Sequence, residues 1–237
     1  MSNQKQKNIF VILPAYNEEE SLLTTLHQIP RETTSSYVIS SLVVDNNSSD
    51  NTFLLASKHS DYVIRECRRG YGQAVHSGIL EAKRKGADII VVLDADGSDP
   101  PQNIPLIIEP ILSEKADFVL GQRLHLAEDG ALTSLQKFGN RFACRLMTYV
   151  VQKKYRDLGS LRAISIAAFE LLDMEDDNFG WNIEMQIKAV QKKLRIVEID
   201  VPYQKRNGGN SKISENPVRA LQAGAMILHS VIKYGIF

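Results

Sequence analysis

The chain has 237 residues, 43% hydrophobic and 24% charged, which places it among ordinary soluble globular proteins large enough for one α/β domain with a sizeable core. Lys+Arg and Asp+Glu are both 28, so no global field draws it to nucleic acid and any anion site must be local. The two cysteines, Cys67 and Cys144, form no metal spacing or disulfide framework, and the five histidines are scattered, which argues against zinc and for a reducing compartment.

A polar N-terminus without a signal-peptide pattern leads into a strand over Asn8–Leu13. A helix follows over Glu18–Gln28, a second strand over Leu42–Asp45 and a helix from about Asp50 to Lys58. Tyr62–Arg65 is a third strand, and Gly72–Lys85 a helix with Ala74, Val75, Gly78, Ile79 and Ala82 along one face. Asp88–Asp94 reads as the fourth strand, Gln102–Ser113 as a proline-bounded helix and Asp117–Gly121 as the fifth strand. This alternation predicts an α/β fold, a doubly wound, mostly parallel sheet with helices on both faces. In the second half, Leu132, Leu135, Phe138, Phe142, Leu146 and Tyr149 step by three or four, which predicts an amphipathic helix. Trp181–Lys193 repeats that pattern, Arg195–Tyr203 alternates like a strand, Arg206–Ser211 reads as a loop and Pro217–Phe237 as an apolar, helix-like tail. No linker divides 1–237, so a single domain is expected. No apolar run approaches the ~20 residues that span a bilayer. The expected location is cytoplasmic, with peripheral contact at the membrane face if the tail lies on lipid rather than on protein.

The chemistry concentrates where strands end. Residues 89–101 run Ile-Ile-Val-Val-Leu-Asp-Ala-Asp-Gly-Ser-Asp-Pro-Pro, an apolar strand that stops in Asp94 and Asp96. Open α/β sheets bind ligands at this carboxyl edge, and two close carboxylates without His or Cys suit Mg²⁺ or Mn²⁺, which can hold a diphosphate. A phosphatase-type Asp nucleophile would follow the first strand of its fold, not the fourth. A calcium loop fails at Asp99 and Pro105, and simple helix capping is the plain alternative. After the first strand stands Pro14-Ala15-Tyr16-Asn17-Glu18-Glu19-Glu20. Its acidic run favours a helix start, while Pro14, Ala15, Tyr16 and Glu18 are placed to line a base and ribose. After the second strand, Asp45 is the candidate acceptor for a uracil or ribose, with Asn47 beside it and Ser49 or Asp50 as helix caps. Gly70-Tyr71-Gly72-Gln73 opens a helix and can receive phosphate, although as a dinucleotide fingerprint it lacks the third Gly.

These pieces, in this order, resemble glycosyltransferase family 2 with the GT-A fold, over nearly the whole chain. The segments Gly121-Gln122-Arg123, Asp157-Leu158-Gly159-Ser160-Leu161-Arg162, Phe179-Gly180-Trp181-Asn182-Ile183-Glu184-Met185 and Arg206-x-x-Gly-x-x-Lys212 resemble the dolichyl- and polyprenyl-phosphate mannose or glucose synthases within it. The resemblance implies a metal-dependent inverting hexosyltransferase, with the nucleotide-binding half at about 1–122 and the acceptor half at about 123–237. It implies Asp96 as metal ligand, Asp94 and Ala95 on the donor, and Ser98 where relatives often carry a Gln ligand. It further implies Arg123 on the acceptor phosphate, Asp157 or Glu184 as base for an alcohol acceptor, and Arg206 and Lys212 closing over the diphosphate. Lys137, Arg141 and Arg145, at i, i+4 and i+8, with Asn140 among them, flank the apolar helix face; they are either an acceptor-phosphate site or solvated charge. The expected partners are a UDP- or GDP-hexose and a polyprenyl phosphate. The rivals are a small soluble acceptor, a sugar nucleotidyltransferase, whose Gly-rich opening loop is missing here, and a non-catalytic nucleotide-binding module.

Overall fold

The computed structural model describes residues 6–31, 34–208, 226 and 228–235. Seven strands, β1 (Lys7–Ala15), β2 (Tyr37–Asp45), β3 (Tyr62–Arg65), β4 (Ile89–Val92), β5 (Phe118–Gln122), β6 (Arg162–Ser165) and β7 (Ile196–Asp200), form one sheet in the order β3-β2-β1-β4-β6-β5-β7. Only β6 runs against its neighbours; every other pairing is parallel. The helices are α1 (Leu22–Gln28), α2 (Thr52–His59), α3 (Tyr71–Arg84), α4 (Ile104–Leu112), α5 (Ser134–Val151), α6 (Ile166–Glu170) and α7 (Trp181–Gln191); residues 228–235 are also helical.

Period-two alternation along β1 divides the core. Phe10 and Ile12 face one side, in a cluster with α3 and α7, while Ile9, Val11 and Leu13 face the other, with α1 and α4. The four residues of β4 are all buried, as a central strand covered on both faces requires. β2 lies on one side of β1 and β4 on the other, so the strand order reverses between β1 and β4. The crevice at their carboxyl ends is the topological switch point where sheets of this type bind ligands.

Several elements differ from the sequence reading. β1 continues through Pro14 to Ala15, and β2 begins at Tyr37, each extension paired in register with the other strand. β4 stops at Val92, with Leu93 N–H still bonding to Ile12 O at 3.0 Å, so Asp94 and Asp96 lie in the turn beyond it. Residues 18–21 form a turn before α1 rather than its first residues. β6 was not foreseen: it is four residues long and opens with Arg162, a side chain that seldom enters a core. Arg162 is buried because its guanidinium is spent on carbonyls, Nε on Ser160 O at 3.1 Å and Nη2 on Gly159 O.

The largest departure concerns α5. The helix is well specified, opening with a capping box between Thr133 and Gln136 and ending at Gln152 in the left-handed region (φ 54°). Its buried residues are Ala143, Cys144 and Met147. Of the predicted apolar stripe, Leu132 just before the helix is buried and Leu146 is half-buried against the core, whereas Leu135, Phe138, Phe142 and Tyr149 are exposed.

Candidate active site at the carboxyl edge of the sheet

A cleft of ≈ 620 Å³ opens at the switch point. Pro14, Ala15, Tyr16 and Glu18 reach it from the end of β1, Gly70 from the start of α3, and Asp94, Ala95 and Asp96 from the turn after β4. Arg123 and Arg206 come from the second half of the chain. Ten residues predicted from sequence therefore meet in one cavity although they span positions 14–206.

The acidic turn is held tightly. Asp96 Oδ1 accepts from Ser98 N at 2.9 Å and Ser98 Oγ at 2.6 Å, which fixes its rotamer, and Asp96 Oδ2 lies 3.2 Å from Arg206 Nη1. Ser98, expected as a ligand, is buried and lies outside the cleft lining, with its hydroxyl engaged in positioning Asp96. Removal from water, then the charges of Asp96 and Asp99, push the Asp94 carboxyl up to about 7. Asp99 sits behind, fully buried, with Oδ2 accepting from Ser160 Oγ at 2.8 Å and Oδ1 without a partner. Its carboxyl is raised to about 6 by burial, against the pull of Arg123 and the Ser160 hydroxyl.

On the β1–β2 side the Arg69 guanidinium stacks on the Tyr16 ring at 3.3 Å and bonds to Asn47 O at 3.3 Å. Asp45 does not reach the cleft. It is fully buried, paired with Arg65 at 3.1 Å across the β2–β3 register. Asn46 lines the cleft instead, donating to Glu66 O and Arg68 O and accepting from Gly70 N, which ties β2 to the turn before α3. Asn47 stands at φ 62° with its carbonyl toward Arg69. Gln73 is buried, its side chain on Glu66 and its N–H on Asp177 O at 2.9 Å. With Gly70 N–H given to Asn46, the start of α3 thus spends two of its N–H groups on protein.

The opposite wall comes from the second half of the chain. Arg123 is forked onto Asp157, with Nε to Oδ2 and Nη2 to Oδ1 both at 2.9 Å, leaving Nη1 without a hydrogen bond among the described residues. Asp157 is buried; the cost of burial is overcome by Arg123 and by the N–H groups of Arg123 and Leu158, which hold its carboxyl below the usual range. Glu184, expected near the chemistry, is buried outside the cleft. Its two oxygens cap Glu175 N and Asp176 N, both at 2.8 Å, and it pairs with Lys188 at 2.7 Å. It anchors the segment that brings Asn178 and Phe179 to the cleft. Lys137 and Arg141 lie on exposed α5, outside the cleft lining, and Asn140 Oδ1 accepts from Leu158 N at 2.9 Å. Lys212 falls outside the described residues. Sequence reasoning missed Asn46, Arg69, Ser160, Asn178 and Asn182 as lining residues; the first two flank predicted motifs, Ser160 and Asn182 sit inside segments quoted only as family signatures, and Asn178 immediately precedes one of them.

The donor set suits a hard cation. Asp94 and Asp96 supply oxygen only, and Arg206 already sets a positive charge against Asp96. Among the described residues no third His, Cys, Asp or Glu completes a ligand cluster, so the remaining positions would fall to diphosphate oxygens and water.

The sequence profile of Glycosyl transferase family 2 matches residues 10–169. An uncharacterized glycosyltransferase of Mycobacterium tuberculosis is 36% identical over 211 residues, 87% of this chain and 89% of its own. The undecaprenyl-phosphate mannosyltransferase of Micrococcus luteus is 29% identical over 220 residues, 87% of each chain. The crystal structure of glucosyl-3-phosphoglycerate synthase from M. tuberculosis with Mn²⁺, UDP-glucose and phosphoglyceric acid superimposes with a TM-score of 0.72 at 20% identity, over 94% of this chain and 79% of that one, a likeness of fold. With two-thirds of its length inside the family profile and its sheet in the GT-A arrangement, the chain belongs to glycosyltransferase family 2 and is a glycosyltransferase.

Proposed function

We propose that the protein moves a hexose from a UDP- or GDP-sugar to a polyprenyl phosphate, with Mg²⁺ or Mn²⁺ on the donor diphosphate. The observation that carries this reading is one cleft that brings the carboxylates of Asp94 and Asp96 together with the guanidiniums of Arg123 and Arg206, with Glu18 and Arg69 also in its lining. It is supported by the Micrococcus relative, an undecaprenyl-phosphate mannosyltransferase, and by the Mn²⁺ and UDP-glucose in the fold neighbour.

When bound, the cation draws negative charge from the departing diphosphate. The chain's own groups do the rest. Pro14, Ala15, Tyr16 and Glu18, with Asn46 and Arg69, form the wall for base and ribose in the half at about 1–122. Arg123, held rigid by Asp157, offers Nη1 to the acceptor phosphate in the half at about 123–237. An acceptor oxygen forms a bond to the anomeric carbon as the bond from that carbon to the diphosphate oxygen breaks. The electron pair leaves with the diphosphate, beside Arg206, and configuration inverts. A phosphate is already anionic at neutral pH and needs no base. That requirement agrees with Asp157 and Glu184, whose carboxylates are committed to Arg123 and to backbone N–H groups.

A soluble phosphorylated acid is the second reading, favoured by the phosphoglyceric acid bound in the fold neighbour. The test is transfer from labelled UDP-glucose and GDP-mannose, with Mn²⁺ or with EDTA, to polyprenyl phosphate or to phosphoglycerate. Organic-phase label that requires the cation is the expected result. Aqueous product alone selects the second reading, and failure of every donor to raise the melting temperature with cation sinks both.

A further inference from the structure

We propose that α5 is a membrane-docking helix that seats the protein on an anionic lipid surface. Leu135, Phe138, Phe142 and Tyr149 are 67%, 68%, 52% and 85% exposed. At 100° per residue they fall within one arc of about 60°. The residues that α5 buries, Ala143, Cys144 and Met147, lie across the helix from that arc. Leu146, at the edge of that arc, is half-buried against the core, while these four apolar side chains face away from the protein.

Charge identifies what covers that side. The eighteen residues of α5 include Lys137, Arg141 and Arg145, all exposed, and no Asp or Glu, in a chain whose net charge is zero. The three cations fall along one flank of the apolar arc, the distribution of an interfacial helix whose aromatic and leucine side chains enter the acyl boundary while its cations meet headgroup phosphates. A second copy fits poorly, because an isologous α5–α5 contact would bring the same basic row close to itself. Position also fits. Asn140 bonds to Leu158 N, and Leu158 lines the cleft beside Arg123, so a docked α5 holds the acceptor-side wall near the lipid surface. The lipid contact stands on α5 alone; its use in catalysis rests on the polyprenyl-phosphate reading above.

The experiment is flotation of the full chain with phosphatidylcholine vesicles, with and without phosphatidylglycerol, at low and high salt. Wild type is expected to float with the anionic vesicles and to release with salt. Phe138→Ser/Phe142→Ser is expected to lose roughly tenfold or more in binding, and Arg141→Glu/Arg145→Glu roughly fivefold per cation removed. Because both phenylalanines are exposed, circular dichroism and melting should match wild type, as should transfer to a short-chain, water-soluble polyprenyl phosphate. Wild type that stays in the aqueous fraction, or a Phe variant that floats equally well, overturns the proposal. So does a wild-type dimer that light scattering shows becoming monomeric in the Phe variant, which would make a second copy the cover. Flotation without any lipid-phosphate transfer leaves docking standing and removes only the acceptor assignment.

Discussion

Asp99→Asn should make the metal-free protein more stable at pH 8. Asp99 is fully buried, accepts one hydrogen bond, from Ser160, and has a second oxygen with no partner. Burial outweighs Arg123 and Ser160 and, with the like charges of Asp96 and Asp157, raises its carboxyl to about 6. That rise above an ordinary carboxylate corresponds to about 3 kcal/mol between the charged and neutral forms. The native state keeps the proton to higher pH than the unfolded chain does. Folding therefore takes up a proton between about pH 4 and 6, and stability falls as pH rises through that window. Above it the cost is present in full; below about pH 4 it is absent. An amide fills the same space, still accepts from Ser160 and carries no charge. The variant should gain about 2–3 kcal/mol at pH 8, roughly 6 °C in melting temperature for a chain of this size, and almost nothing at pH 4. Urea melts in EDTA at both pH values measure it. Equal or lower stability of the variant at pH 8, or the same gain at both pH values, would show that the burial argument is wrong.

Asp96→Ala should abolish the rise in melting temperature that Mn²⁺ and a nucleotide sugar confer while leaving the metal-free circular dichroism unchanged, as titration with and without EDTA would show. Gly70→Ala should cost about 2 kcal/mol or more in a urea melt and weaken donor binding in the same preparation. Gly70 holds φ +152°, and an added Cβ would lie 2.2 Å from Asp177 O. Glu184→Gln should behave as a stability variant, losing roughly 2–4 kcal/mol because Lys188 and the N–H groups of Glu175 and Asp176 lose a charged, buried partner. Its kcat in the folded fraction should stay within about threefold of wild type, since Glu184 lies outside the cleft; steady-state kinetics below the melting temperature decide this.

The parts of the fold legible in sequence were those set by local pattern. An apolar run ending in Asp-x-Asp gave both β4 and the acidic turn, and the βα alternation gave the parallel half of the sheet. Asp45 looked like a ligand residue because a strand-end carboxylate usually faces the cleft. In the structure that carboxylate is buried and paired with Arg65, its neighbour in register one strand away, and only the strand pairing reveals that contact. Asp157 and Glu184 carried the right chemistry for a base, yet each is saturated by partners that the fold delivers. Period alone located the apolar stripe of α5, but periodicity does not say which of its members meet the core, as Leu132 and Leu146 do, and which face outward. β6 stayed hidden because four residues beginning with a buried arginine carry almost no strand signal, and the carbonyls that make Arg162 tolerable lie at Gly159 and Ser160, where a sequence shows only side chains.

Gly70 and Gly72 leave so little room that the main chain of Asp176 and Asp177 rests directly on the start of α3, with Gln73 N–H closing the joint onto Asp177 O. The segment carrying Asn178 and Phe179 is thereby riveted to the same turn that carries Arg69 and Gly70 into the cleft. The two banks of the cavity thus share one main-chain joint. A substitution that shifts the turn before α3 is therefore expected to carry the Asn178–Phe179 segment with it, through main-chain contact rather than through any side chain.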